Sequence, residues 1–338
     1  MPTLRLDLRK SGQTRILLVL VIVNAVIMAS LTVLSPTFLT YGNLSAVLLR
    51  MSELAMLSLA ETIVLISGGF DLTIGAVMAL SSALCGILYL QGLPFGLVLA
   101  LSLLSGVAVG AVNAFFVVAL RLQPFIVTLA TMTIIRSIVY ALLKGVVLTK
   151  FPEGFLNMGS LFVLKIPLLF LIVIAAAVLA SLLLRRTIFG RRIFAIGAGE
   201  RTAFISGIFV KRIKFLVYCL SGSISALAGL MFTSRIRASL PDAGINAPLE
   251  VITAVLIGGT AITGGKGSIL GSLLGILAMF LLLNGFNLLN LNPFWEVIML
   301  GIILIYVVGQ ENITRSFRAL FGSRRRESVP ASGQGTKP

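Results

Sequence analysis

The stretch LSAVLLRMSELAMLSLAETIVLISGGFDLTIGAVMALSSALCGILYL, residues 44–90, decides the fold. It holds two apolar runs, 44–66 and 72–90, each close to the ~20 residues that cross a bilayer as an α-helix. Neither run alternates apolar with polar residues as a barrel strand of ~10 residues does; both are apolar on all sides. Between them SGGFDLTIG, 67–75, puts Gly68, Gly69, Asp71 and Gly75 at membrane depth, where lipid offers freed backbone groups no partner. Such a break is tolerated only inside protein or beside a cavity. The stretch therefore predicts membrane helices packed around an internal feature, not a single anchor.

The pattern repeats in both directions. Apolar runs bounded by Pro, Gly, Asn or charge predict further helices near 16–34, 95–119, 124–143, 163–184, 213–232, 249–262, 268–289 and 294–309. The expected fold is all-α, a polytopic membrane bundle of about ten transmembrane helices. Composition agrees: of 338 residues 58% are apolar and 11% charged, where soluble domains carry about 25% charge. The first run follows Arg5, Arg9, Lys10 and Arg15 and is too long for a signal-peptide core, so it reads as an uncleaved helix. A second interruption, IGGTAITGGKGSILG at 257–271, carries Gly258, Gly259, Gly264 and Gly265. Two glycine-rich breaks in different halves are the pattern expected at a transport pathway.

The chain has 27 Lys and Arg against 11 Asp and Glu. In a soluble protein that excess suggests nucleic acid; here it reports orientation. With the N-terminus inside, the ten-helix arrangement puts twenty basic residues in cytoplasmic segments, five outside and two, Arg50 and Arg136, within spans. No nucleic-acid partner is expected, and both termini face the cytoplasm. The expected organisation is a basic cytoplasmic N-terminus, 1–15, a transmembrane domain, 16–310, and a cytoplasmic tail, 311–338. The tail is too poor in apolar residues to order itself, and its run Arg324, Arg325 and Arg326 can touch anionic lipid.

Catalytic chemistry has little support. The sequence has no His, and Cys85 and Cys219 stand apart in apolar runs, so no metal, cofactor or disulfide is expected. Glu53, Glu61, Asp71, Glu250 and Glu296 fall in or beside spans, where charge is costly and suggests function. Glu53 lies three residues after Arg50 on one helix face, which predicts an internal pair. Glu61 and Asp71 flank the first break and can cap its backbone N–H groups. A phosphate loop is ruled out at TAITGGKG, because Thr260 stands where its first glycine belongs and Gly267 where its Ser or Thr belongs. Without its own ATP site the chain uses an ion gradient, acts as a channel, or borrows an ATPase. The long basic loop RRTIFGRRIFAIGAGERTAFISGIFVKRIK, 185–214, favours the last. Within it 200–208 can form about two helical turns with Ala203, Phe204 and Ile208 as an apolar stripe, suited to a partner's groove or the bilayer surface.

Four segments in fixed order resemble the permease subunits of bacterial ABC importers for monosaccharides, the group of ribose, xylose, galactose and autoinducer-2 permeases. They are GGFDLTIGA at 68–76, PFIVTLATM at 124–132, TIFGRRIFAIGAGERTAFISGI at 187–208, and AGINAPLEVITAVLIGGTAITGGKGSILGSLLG at 243–275, followed by NGF at 284–286. Ala114, Ala130, Gly199 and Ala261 depart from that pattern. The resemblance spans about 40–310 and implies a permease in the bacterial inner membrane with three partners: a cytoplasmic ATP-binding-cassette ATPase, a second permease copy or homologue, and a periplasmic or extracellular sugar-binding protein. It implies that 187–212 is the coupling segment, with Gly197, Glu200, Ala203, Phe204, Gly207 and Ile208 as its contact residues. A neutral hydrophilic substrate needs a path with a few hydrogen-bonding groups, for which Asp71, Asn113, Gln123, Thr128, Thr131 and Asn284 are the candidates. An ion-coupled secondary transporter and an ABC permease for branched-chain amino acids are the alternatives.

Overall fold

A computed structural model of the chain describes residues 3–292, 294–306 and 309, the first ten of them by backbone alone. The tail expected at 311–338 lies outside the described residues. The chain divides into two units, 1–293 and 294–338.

The first unit begins with α1, Thr3–Leu34, α2, Tyr41–Ile66, α3, Ile74–Leu90, and α4, Phe95–Ala114, which ends in a π-helical turn, Phe115–Ala119. Helix α5, Pro124–Leu143, and the short α6, Glu153–Met158, follow. Next come α7, Leu168–Arg186, α8, Ile188–Ala198, α9, Glu200–Ile205, α10, Val210–Ile236, α11, Ala247–Ile257, and α12, Ile269–Leu288. The second unit holds an apolar helix, α13, Phe294–Tyr306.

Boundaries follow local chemistry. Pro124 starts α5, where its missing N–H costs nothing, and Thr40 and Ser268 cap α2 and α12 through their hydroxyls. The helix expected from 163 begins later, at Leu168. Residues 162–167 form a two-stranded hairpin, β1, Phe162–Val163, and β2, Ile166–Pro167, turned through Leu164 and Lys165 at φ 51° and 68°. Positive φ at both central residues is the tight-hairpin geometry, and apolar content alone could not distinguish this run from a helix.

Among the described residues six helices are long and apolar enough to cross a membrane: Gln13–Leu34 within α1, α4 with its π-helical end, α5, α7, α10 and α12. The chain is thus an all-α, multi-pass membrane protein. Helix α2 is of spanning length but carries Arg50, Glu53 and Glu61, and α3, α11 and α13 are shorter apolar helices.

Helices α2 and α10 organise the first unit. Every residue of α2 from 55 to 66 is buried, consistent with a helix that is apolar on all sides. Helix α10 packs on α2, α3 and α4. Its closest approach, to α4, is backbone on backbone: a methyl group on Gly222 would lie 1.9 Å from the Gly106 carbonyl oxygen, and one on Gly110 would lie 2.2 Å from that of Tyr218. Lipid gives apolar helices no hydrophobic reason to associate, so close packing of small residues supplies the attraction. Cys85 is buried in a core with Val98, Phe151, Phe155 and Leu230.

Arg136, within a span, and Glu53 are held by tertiary contacts. Glu53 pairs with Arg235 at the end of α10, Nε donating at 2.9 Å and Nη2 also donating, rather than with Arg50 as its spacing predicts. Arg136 donates to the carbonyls of Pro241 and Ala243 at 3.1 and 2.7 Å.

Candidate functional site

Three glycine-bearing segments from distant parts of the sequence meet at one point. Helix α2 ends at Ile66, and the chain turns through Gly68 at φ 74°. The break after α11 turns through Gly264 and Gly265 at φ 82° and 71°, conformations that glycine adopts without steric cost. The Gly265 N–H donates to the Ile66 carbonyl at 2.9 Å, joining the two breaks directly.

Gly197, in the last turn of α8, seats between them. A methyl group there would lie 1.9 Å from the Ile66 oxygen and 2.4 Å from the Gly265 nitrogen; one on Gly264 would lie 2.9 Å from both the Gly197 oxygen and the Gly68 Cα. No side chain separates the three backbones. The 185–214 loop is therefore packed backbone against backbone into both glycine breaks, a convergence that the sequence reading did not foresee. Helix α1 reaches the same place: Gln13 Nε2 donates to the Gly267 carbonyl at 3.2 Å.

Beyond the joint the loop turns outward. Helix α9 stops at Ile205 because Gly207 takes φ 80°, with the Ile208 N–H returning to the Ala203 carbonyl at 3.1 Å, a glycine-terminated helix end. The stripe expected over 200–208 is thus split. Ala203 is buried, Ile208 half-buried, and Phe204 is 70% exposed alongside Ile205 and Phe209. Glu200 pairs with Lys214 at 2.5 Å.

The first break also carries a buried polar cluster. Asp71 Oδ1 accepts from the Thr73 N–H at 2.9 Å and from its hydroxyl at 2.5 Å, while Oδ2 accepts from Ser221 of α10 at 2.7 Å. Asn113 of α4 donates to the Thr73 hydroxyl at 3.0 Å, and the Tyr218 hydroxyl donates to the Phe70 carbonyl at 3.3 Å. Glu61 accepts weakly from the Asp71 N–H at 3.4 Å. Glu61 Oε2 and Asn113 Oδ1 are buried and find no hydrogen-bond partner among the described residues. Asp71 and Glu61 thus take the backbone-capping position expected of them.

Of the six candidate path residues only Asp71 and Asn113 come together, bridged by Thr73. Thr128 and Thr131 are buried on α5, Thr128 donating to the Pro124 carbonyl at 2.9 Å, and Gln123 is exposed ahead of it. Asn284 lies elsewhere, in a reciprocal amide pair with Asn43 at 3.1 and 2.8 Å that ties α12 to α2. Tyr218 and Ser221 escaped the sequence reading. Their spacing, with Ser225, puts a polar stripe on one face of α10, and that signal could have found them.

The chain matches over residues 43–308 the family described as branched-chain amino acid transport system / permease component. It is 37% identical to the ribose import permease protein of Bacillus subtilis, over 82% of this chain and 87% of that protein. It is 32% identical to the L-arabinose transport system permease protein of Escherichia coli K12, over 86% of this chain and 88% of the other. The D-allose transport system permease protein of the same organism is likewise 32% identical, over 86% and 89%. No solved structure matches. These relatives are transport permeases rather than enzymes. A membrane helical bundle with two glycine breaks packed against one basic loop, matched over most of its length to such proteins, belongs to this family of transport-system permease components.

Proposed function

We propose that this chain is the membrane-spanning permease subunit of an ATP-binding-cassette importer that carries a monosaccharide or sugar-like solute into a bacterial cell. The substrate class rests on the ribose, arabinose and allose permeases at 32–37% identity. A separate cytoplasmic ATPase drives the cycle, a second permease, identical or homologous, completes the path, and an extracytoplasmic binding protein delivers the solute. The bundle lies in the inner membrane, crosses it about ten times and keeps 1–15 and 311–338 in the cytoplasm.

The observation that carries the mechanism is the backbone joint at Gly197. Movement of the coupling residues Gly197, Glu200, Ala203, Phe204, Gly207 and Ile208 passes without an intervening side chain to the end of α2 and to the turn between α11 and α12. Close-packed joints have discrete arrangements rather than graded ones, which suits a path open to one side at a time. Asp71 and Asn113 offer hydrogen-bonding groups beside the first break; Gln123, Thr128 and Thr131 do so along α5, and Asn284 at α12. The permease itself performs no covalent chemistry.

Reconstitution with the cognate ATPase and binding protein tests this. Uptake of labelled ribose, arabinose or allose is expected to stop with vanadate and to survive an uncoupler. Uptake that survives vanadate and stops with the uncoupler would establish the ion-driven alternative; uptake of leucine but of no sugar would establish the branched-chain amino-acid one.

A further inference from the structure

An apolar groove of about 450 Å³ runs between the end of α4 and the start of α10. Its walls include Phe115 and Val118 of the π-helical turn and Phe215 and Leu216 of α10, and its rim is Lys211 and Arg212. No acidic residue lines it. Both wall phenylalanines and Leu216 are exposed, at 53%, 41% and 51%.

The two cations are electrostatically misplaced. They occupy the first turn of a 27-residue helix, which has no acidic residue there, and a helix N-terminus carries partial positive charge that repels cations. Lys214 of the next turn is compensated by Glu200. Lys211 and Arg212 have no ion-pair partner among the described residues; Arg212 only stacks over the Phe209 ring at 5.2 Å. Three positive features therefore converge at one end of an apolar channel: two side chains and a helix end.

The ligand that fits is amphipathic and anionic. We propose that this groove binds an anionic phospholipid, its acyl chain along Phe115, Val118, Phe215 and Leu216 and its phosphate between Lys211 and Arg212. The walls themselves confer no preference, because bulk lipid tails are as apolar as the groove. Selection lies in the headgroup, where two cations near the surface give roughly 30-fold enrichment of an anionic over a zwitterionic lipid. The π-helical turn shapes the groove: the Leu120 N–H returns to the Phe115 carbonyl at 3.3 Å, five residues back. Such turns widen a helix locally and gather at functional sites. The site is distinct from the candidate solute path, and its rim lies at the C-terminal end of the 187–212 segment.

The experiment uses the full chain with Trp295, its single tryptophan, replaced by Phe and with Phe215→Trp as reporter, in nanodiscs of phosphatidylcholine. Trace brominated phosphatidylglycerol is compared with trace brominated phosphatidylcholine. The expected result is quenching by the glycerol lipid at roughly thirty-fold lower mole fraction, a preference that falls several-fold when salt is raised to screen the exposed rim. It should fall to near unity in K211Q/R212Q while quenching by phosphatidylcholine persists. Should that variant fail to insert, the salt series on the unaltered rim decides. Equal quenching by both lipids at low salt overturns the proposal. So does a reporter shielded from every brominated lipid, which means that protein covers the groove. Full competition by millimolar inorganic phosphate also overturns it, since the rim would then be a plain anion site.

Discussion

Gly197 is the residue on which the coupling argument turns. A Cβ there falls 1.9 Å from a carbonyl oxygen that belongs to backbone and cannot rotate aside. Gly197→Ala is therefore expected to push α8 away from Ile66 and Gly265, with a cost of about 1–3 kcal/mol from overpacking. Transport should fall at least tenfold while the protein still inserts. Gly154→Ala, where a Cβ meets nothing within 4 Å, should transport normally, so uptake assays on the pair separate the joint from a general sensitivity to glycine loss. Normal transport by Gly197→Ala would remove the joint from the mechanism. Glu53 makes a second prediction at this scale. Removing its partner in Arg235→Ala leaves a buried carboxylate uncompensated, at a cost of about 3–5 kcal/mol, and Glu53→Gln in the same chain should restore much of the lost thermal stability. The sequence pointed to Arg50 because it is three residues away. A partner 182 positions off leaves no mark on local spacing, and the same holds for Asn43 with Asn284.

At the scale of elements, the helices themselves were largely legible, because a run of ~20 apolar residues has few other uses and Pro, Thr and Ser mark the ends of several. What was not legible arises where tertiary contact overrides composition. Leu164 and Lys165 turn a hairpin inside an apolar run, and α8 and α9 form a bent pair where one short helix was expected. The two breaks were visible as glycine clusters, yet their meeting at Gly197 was not, since contact between backbones leaves no signature beyond the glycines themselves. Helix α9 carries the third prediction. Phe204 is 70% exposed beside Ile205 and Phe209, an apolar tip on an otherwise basic segment, and Ala203 beneath it anchors the turn. Phe204→Asp puts a charge where a partner's apolar groove would close, at several kcal/mol if it finds no counter-charge, and leaves the membrane helices untouched. The variant should insert and pair with the second permease yet lose the ATPase on purification. Full retention of an ATPase that still responds to loaded binding protein would place the coupling contact elsewhere.

At the scale of the whole molecule, the number of crossings is fixed by which chain segments share a side of the membrane. Length and apolarity alone pick out six helices among the described residues, whereas the close contacts argue for more. Gln13 bonds Gly267, Gly265 bonds Ile66, and Gly197 touches both, so residues 13, 66, 197 and 265 lie at one level. On the proposed ten crossings, the chain returns to that level after α1 through α2, despite its three charges. The Phe70 and Phe125 rings, 5.6 Å apart, fit the proposal that α3 and α4 go out and return. Helices α5 and α7 do the same before Gly197, and α10 and α11 before Gly265. Helix α12 follows as the next crossing on the same proposal. Six crossings also put both termini on one side, so a terminal reporter cannot separate the two counts, but Lys266 can. It is exposed and lies in the cytoplasm if α2, α3 and α11 cross, and outside if only the six long and apolar helices do. In a chain with Cys85 and Cys219 changed to Ser, Lys266→Cys should resist a membrane-impermeant maleimide in intact spheroplasts and react in inverted vesicles. Gln91→Cys, in the turn between α3 and α4, should do the reverse and show that the reagent reaches outer turns. Labelling of Lys266→Cys from outside would break the shared level of the three glycine segments. The joint at Gly197 could not then couple anything to a cytoplasmic ATPase.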